Sequence, residues 1–117
     1  MASRLTPREK VLRLISEAEW QKTVIDILAR NGYLVYHDTN TFARQHRAGL
    51  PDIVATRMDP PDFFMAELKR ELGKLRPEQQ EWIESLKANG IDCYVWRPSD
   101  AEEVKRRASP LYQKANV

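Results

Sequence analysis

The sequence predicts an α/β fold: a mixed four-stranded sheet flanked by helices, in the order α-α-β-β-β-α-β-α. Three observations carry this expectation. Apolar residues recur at helical spacing after Ser16 and again after Pro77. Three short runs rich in aromatic and β-branched residues lie between those helices, and a fourth follows the second. A turn-rich stretch, Met58-Asp59-Pro60-Pro61-Asp62, separates the second and third runs and predicts a hairpin.

The elements follow in order. Thr6-Pro7-Arg8-Glu9 starts a helix, with Thr6 as cap, Pro7 at the first helical position and Glu9 as capping-box partner. Val11, Leu14 and Ile15 give this helix one apolar side. It is expected to be an arm that packs on the domain, on a second subunit or near a ligand. A second helix runs from Ser16 to about Arg30, with Gly32 just beyond its end and Trp20, Val24, Ile27 and Leu28 as its core stripe. Tyr33 to His37 reads as the first strand, Asp52 to Thr56 as the second and Phe63 to Leu68 as the third. A long polar loop fills Asp38 to Pro51. Pro77 opens a helix carrying Trp82, Ile83 and Leu86 that ends at Asn89-Gly90. Asp92 to Trp96 is the fourth strand, and Ser99 with Glu102 predicts a capping box for a last helix, closed before Pro110.

A chain of 117 residues suits one domain, divided here into an arm (1–15), a core (16–98) and a C-terminal helix and tail (99–117). The hydrophobic share of 42% excludes a disordered chain. No apolar run reaches membrane-spanning length, and the first ten residues lack a signal-peptide core. Cys93 is the single cysteine, which excludes an internal disulfide and a cysteine-built zinc cluster. A reducing cytoplasmic setting is the expectation. The net charge of +2 says little alone, but basic residues gather in four places. Those at the N-terminus (Arg4, Arg8, Lys10, Arg13) and near the end (Lys105, Arg106, Arg107) read equally as solvated faces or as nucleic-acid contacts. Two clusters, Arg44-His46-Arg47 and Lys69-Arg70-Lys74-Arg76, flank the residues considered next.

Asp52 begins the second strand, while Glu67 and Lys69 end the third and share one side of it by strand alternation. The hairpin returns Asp52 beside them. Two carboxylates and an ammonium in one patch meet the needs of phosphodiester hydrolysis, in which a divalent cation offsets phosphate charge and activates water. Magnesium takes oxygen ligands and one or two carboxylates. Asp52 and Glu67 are the expected ligands, the Leu68 backbone carbonyl a third oxygen, and Lys69 the group that holds water or offsets charge. Alone, Glu67–Lys69 would be a surface ion pair of little weight. No Ser-His-Asp set or phosphate-cradling glycine loop is present, and His37 and His46 do not form a metal pair by spacing.

Pro51-Asp52 followed by Glu67-Leu68-Lys69 resembles the PD-(D/E)XK nuclease signature. The wider string is similar to the VRR-NUC branch of that superfamily, including its stand-alone phage-type members. Gly49-Leu50-Pro51-Asp52-Ile53 matches its G-x-P-D motif. Glu67-Leu68-Lys69, then Gly73, Leu75-Arg76-Pro77-Glu78-Gln79 and Trp82, match its E-x-K…G…L-x-P-x-Q…W stretch. Ser16 to Gln21 resembles its opening helix, so the resemblance spans roughly 16–98. It implies a restriction-endonuclease-like core, a Mg2+ or Mn2+ requirement and hydrolysis of DNA, often at branched structures such as Holliday junctions and often as a dimer. It also suggests a phage or mobile-element setting, and then the cytoplasm of a bacterial host.

The family places a metal-associated Glu on the first core helix, and here Glu17 and Glu19 compete. Glu17 and Gln21 fall beside Trp20, Val24 and Leu28, toward the sheet, with Gln21 in a supporting position. Glu19 lies three residues after Ser16, where a capping partner belongs. Glu17 is therefore the expected site residue, against the alternative of a charge favoured only by the helix dipole. Gln79 lies on the inward face of its helix. It either touches the water or metal shell near Lys69 or pins the helix to the sheet by a hydrogen bond. Arg44, Arg47, Lys74 and Arg76 are expected DNA contacts. Phe42 either stacks on an exposed base or tucks into the core. Trp20, Trp82, Trp96 and Cys93 read as core.

Overall fold

The structure, a computed structural model, describes residues 4–37 and 49–112. Its elements are α1 (Pro7–Leu14), α2 (Glu17–Arg30), β1 (Leu34–His37), β2 (Ile53–Met58), β3 (Pro61–Leu68), α3 (Pro77–Ala88), β4 (Cys93–Trp96) and α4 (Ala101–Ala108). The predicted order holds. The sheet runs β1-β2-β3-β4, antiparallel across the first two pairs and parallel between β3 and β4. A parallel neighbour needs a crossover, and α3 supplies it. The fold is α/β with a mixed four-stranded sheet flanked by helices.

Local chemistry sets the helix starts. Thr6 with Glu9 and Ser16 with Glu19 both form complete capping boxes. In each, the cap hydroxyl and the glutamate satisfy two backbone N–H groups that a helix start leaves unpaired. The hairpin is tighter than its sequence suggested. β2 continues to Met58 and β3 starts at Pro61, across a cis Asp59–Pro60 peptide.

Strand alternation divides the core in two. One face carries Ile53, Ala55, Phe64, Ala66, Leu68 and Trp96 against Trp20, Val24 and Leu28 of α2 and Val104 and Ala108 of α4. The Trp20 indole N–H donates to the Trp96 carbonyl at 3.0 Å, and the Trp96 indole donates to Glu103, so both buried rings are satisfied. On the other face Met65, Ile83 and Cys93 pack with Leu50, Val54, Leu75, Leu86 and Val95 beneath α3. The register puts Leu34, Tyr36, Met58 and Phe63 on this second face, and all four are exposed.

On α1, Leu14 is 80% exposed and Val11 is exposed too, while Ile15 behind it packs on the core, so the arm leaves an apolar side open. Three expectations need correction. Trp82 is 40% exposed, at the rim of α3 beside Gly49 rather than in the core. Ser99 and Glu102 form no capping box. A 3-10 turn at Pro98–Asp100 delays α4, and the Ser99 N–H instead donates to Glu71 at 3.0 Å while Glu102 pairs with Lys105. Arg107 is neither a solvated residue nor an exposed contact: it is 1% exposed. Its guanidinium donates to Asp62, to Asp92 at 2.8 Å and to the Tyr94 hydroxyl at 2.8 Å, at the sheet end where β3 starts. Its plane lies over the Phe64 and Tyr112 rings. Arg57, also buried, donates nearby to the carbonyls of Pro60 and Ala108. Among the described residues no helix is long and apolar enough to cross a membrane.

Candidate active site

The last pair of the β2–β3 ladder, Ile53 with Ala66, leaves Asp52 one position outside and opposite Glu67. Asp52 turns its Oδ2 onto the Leu68 N–H at 3.0 Å, which fixes the carboxylate against the strand end. The Leu68 peptide therefore sits at the centre of the patch. Lys69 is anchored through its backbone N–H to the Trp96 carbonyl at 3.1 Å, and its ammonium lies 3.6 Å from Glu67 Oε2. Asp52, Glu67 and Lys69 thus converge as the sequence predicted.

Glu67 is the unusual member. It is 2% exposed, and its Oε1 is buried without a hydrogen-bond donor. Burial, and then the neighbouring Asp52 carboxylate, push its pKa up to about 8, against the pull of Lys69. The Asp52 carboxylate is close enough that a proton on Glu67 makes a hydrogen bond between them. A buried carboxylate pair with one bare oxygen is the donor set that a hard divalent cation accepts. Among the described residues no three acidic, histidine or cysteine side chains gather at ligand distance. The fit is therefore to a cation held by two carboxylates, with main chain and water completing its shell.

Gln79 makes the hydrogen bond that pins its helix to the sheet, and both ends of its amide are used. Its Nε2 donates to Glu67 Oε2 at 3.0 Å, and its Oε1 accepts the Arg76 N–H at 2.9 Å. The first bond ties α3 to the reactive carboxylate, and the second caps the helix that carries it. Glu19 is occupied by its capping box with Ser16, at 2.9 and 3.1 Å. Glu17 is exposed on the first turn of α2, and its charge reaches Glu67 more weakly than that of Asp52 or Lys69. Gln21 is half-buried on the same helix. Lys74 is exposed, and Arg76, also exposed, lies 3.5 Å from Glu78. Arg44 and Arg47, with Phe42 and His46, lie outside the described residues.

One contact near the site escaped the sequence reading, between Gly49 and α3. Gly49 sits at φ +96°, and a Cβ there would come within 2.6 Å of both the Glu78 carbonyl oxygen and Trp82 Cδ1. Glycine is needed for both the backbone angle and the space. The turn leading into Pro51-Asp52 is thereby pressed onto α3, the helix that holds Glu67 through Gln79. Gly49→Ala is expected to shift Asp52 and cut turnover by about 100-fold, the scale of a misplacement near 1 Å. Parallel thermal melts would show a stability cost of about 1–3 kcal/mol. Unchanged turnover would mean that the turn is not set by α3. The signal available in the sequence was the G-x-P-D string itself, but its partner lies some thirty residues away.

This sheet, with a carboxylate pair and a lysine at the ends of β2 and β3, belongs to a nuclease-type domain by its family match. The VRR-NUC domain model matches residues 38–100, and the chain belongs to the VRR-NUC family. A solved structure described as a VRR_NUC domain superposes with a TM-score of 0.63 at 21% identity, covering 75% of this chain and 91% of the other. That likeness extends to the fold. None of the curated proteins matches the chain in sequence.

Proposed function

We propose that the protein is a Mg2+- or Mn2+-dependent DNA endonuclease that selects branched DNA, such as a four-way junction, and acts as a homodimer. The observation that carries the hydrolytic reading is the Asp52–Glu67–Lys69 patch, with its bare Glu67 Oε1 and its lysine at 3.6 Å. A bound divalent cation supplies charge neutralisation at the phosphate and a water of lowered pKa. Asp52, Glu67, the Leu68 carbonyl and Glu17 would hold that cation. Lys69 would orient the attacking water and offset charge developing on the phosphate oxygens. Gln79 keeps Glu67 in place. Arg44, Arg47, Lys74 and Arg76 hold the DNA backbone, and Gln21 supports the Glu17 side. Branch selectivity rests on the family assignment, and the dimer on the need for two cuts in a four-way junction.

The test incubates purified protein, with EDTA, Mg2+ or Mn2+, with a four-way junction and a linear duplex of the same sequences. Metal-dependent cutting of the junction is expected, with Lys69→Ala and Asp52→Asn each lowering turnover by at least about 100-fold. Equal cutting of both substrates overturns branch selectivity and leaves a general nuclease. Binding without cutting in either metal overturns the catalytic reading in favour of a DNA-binding adaptor. The intact Asp52, Glu67 and Lys69 argue against that last outcome.

A further inference from the structure

A cleft of about 200 Å³ lies between α1 and the turn that follows β3, lined by Arg13, Arg70, Leu72 and Gly73. It exceeds several-fold the ~30 Å³ that one water occupies, so it has room for a phosphate and part of its sugar. Arg13 comes from the N-terminal arm and Arg70 follows Lys69 directly, with Cα atoms about 3.8 Å apart along the chain. The cleft therefore lies at the same end of β3 as the reactive patch.

The charge in this cleft is offset in part by Glu9, whose carboxylate feels Arg13 from one helical turn away. Among the described residues neither Arg13 nor Arg70 makes an ion pair. The nearby acids are committed elsewhere. Glu71 accepts the Ser99 N–H, Asp100 accepts the Arg97 N–H at 2.8 Å, and Glu9 is held in the Thr6 capping box. The wall is also rigidly built. Arg97 clamps the Gly73 carbonyl at 2.6 and 3.2 Å, and the Gly73 N–H closes the turn onto the Arg70 carbonyl at 2.9 Å. Two guanidiniums that form no ion pair among the described residues, on a pre-formed wall shared with the exposed Leu72, suit an anionic sugar–phosphate.

We propose that Arg13 and Arg70 form a backbone-phosphate clamp, which grips the DNA strand next to the reactive patch and gives the N-terminal helix its role in binding. This rests on the nuclease reading above. Its ligand is an internal phosphodiester of DNA, held without regard to sequence.

The test is fluorescence anisotropy with a labelled duplex in EDTA, where no cutting occurs, over a salt series. The wild type is compared with Arg13→Ala/Arg70→Ala and with a charge-matched control, Arg30→Ala/Lys105→Ala, at exposed positions. Each neutralised phosphate contributes about 0.9 to the slope of log affinity against log salt. The cleft variant is expected to flatten that slope by about 1.8 and to weaken binding about tenfold near 100 mM salt. The control should follow the wild type, and all three should melt alike. Equal losses in the cleft variant and the control overturn the clamp, as does an unchanged slope in the cleft variant. A wild type that binds no DNA overturns the nuclease reading and the clamp with it. Binding by the wild type with an unaltered cleft variant overturns the clamp alone.

Discussion

Glu67→Gln is expected to stabilise the metal-free protein at pH 8 while abolishing cleavage. The reasoning follows the proton. Glu67 in the folded chain titrates at about 8, against an ordinary value of 4.5. Between those values the folded state holds a proton that the unfolded state has released, so stability falls as pH rises. The contribution is fully present below about 4.5 and lost above about 8. At about 1.4 kcal/mol per pH unit, the full span is on the order of 4–5 kcal/mol. Glutamine is neutral at every pH, keeps an oxygen for the Gln79 amide and turns an N–H toward Asp52. Urea melts of both proteins in EDTA, from pH 5 to 8.5, would show a falling wild-type curve and a flatter variant curve that crosses it. A wild-type stability that stays level or rises over this window refutes the account. A divalent cation should restore the wild type at pH 8 and leave the variant unchanged, because the cation replaces the proton on the carboxylate pair.

Arg107→Ala should cost about 3 kcal/mol, the lower end of the scale for removing one partner of a buried charge pair. Asp62 and Asp92 both lose their guanidinium, and Phe64 and Tyr112 lose the plane that packs on them. Arg57 lies 4.0 Å from Asp62, too far to replace the lost bonds. The midpoint of thermal unfolding is expected to drop by more than about 10 °C, while Arg106→Ala, on the exposed side of α4, should change it little. Below its melting point the Arg107 variant should bind DNA as the wild type does. A loss of binding without a loss of stability would instead make Arg107 part of the DNA interface.

Arg107 also marks a limit of sequence reading. Lys105-Arg106-Arg107 is a run of like charge, and nothing local tells its third member from the others. Arg107 is buried because the sheet brings Asp62, forty-five residues away, to the same end of the molecule. Trp82 shows the converse: its spacing from Ile83 and Leu86 suited a core residue, but it stays at the rim of α3, against Gly49. Glu102 was a sound capping partner by spacing until the 3-10 turn shifted the helix start.

The sequence by itself determined what depends on near neighbours along the chain. Capping partners three residues apart placed Glu19 at Ser16 and Glu9 at Thr6. Strand alternation put Glu67 and Lys69 on one side, and a short hairpin set Asp52 opposite them. Tertiary structure alone decided which groups lost water and which distant groups met. It left the Glu67 Oε1 without a donor, sent the Gln79 amide to both Glu67 and Arg76, and set Arg13 across a cleft from Arg70. The physical reason is that capping and alternation are periodic in the chain, whereas burial and uncompensated charge depend on surfaces that exist only once the sheet has formed.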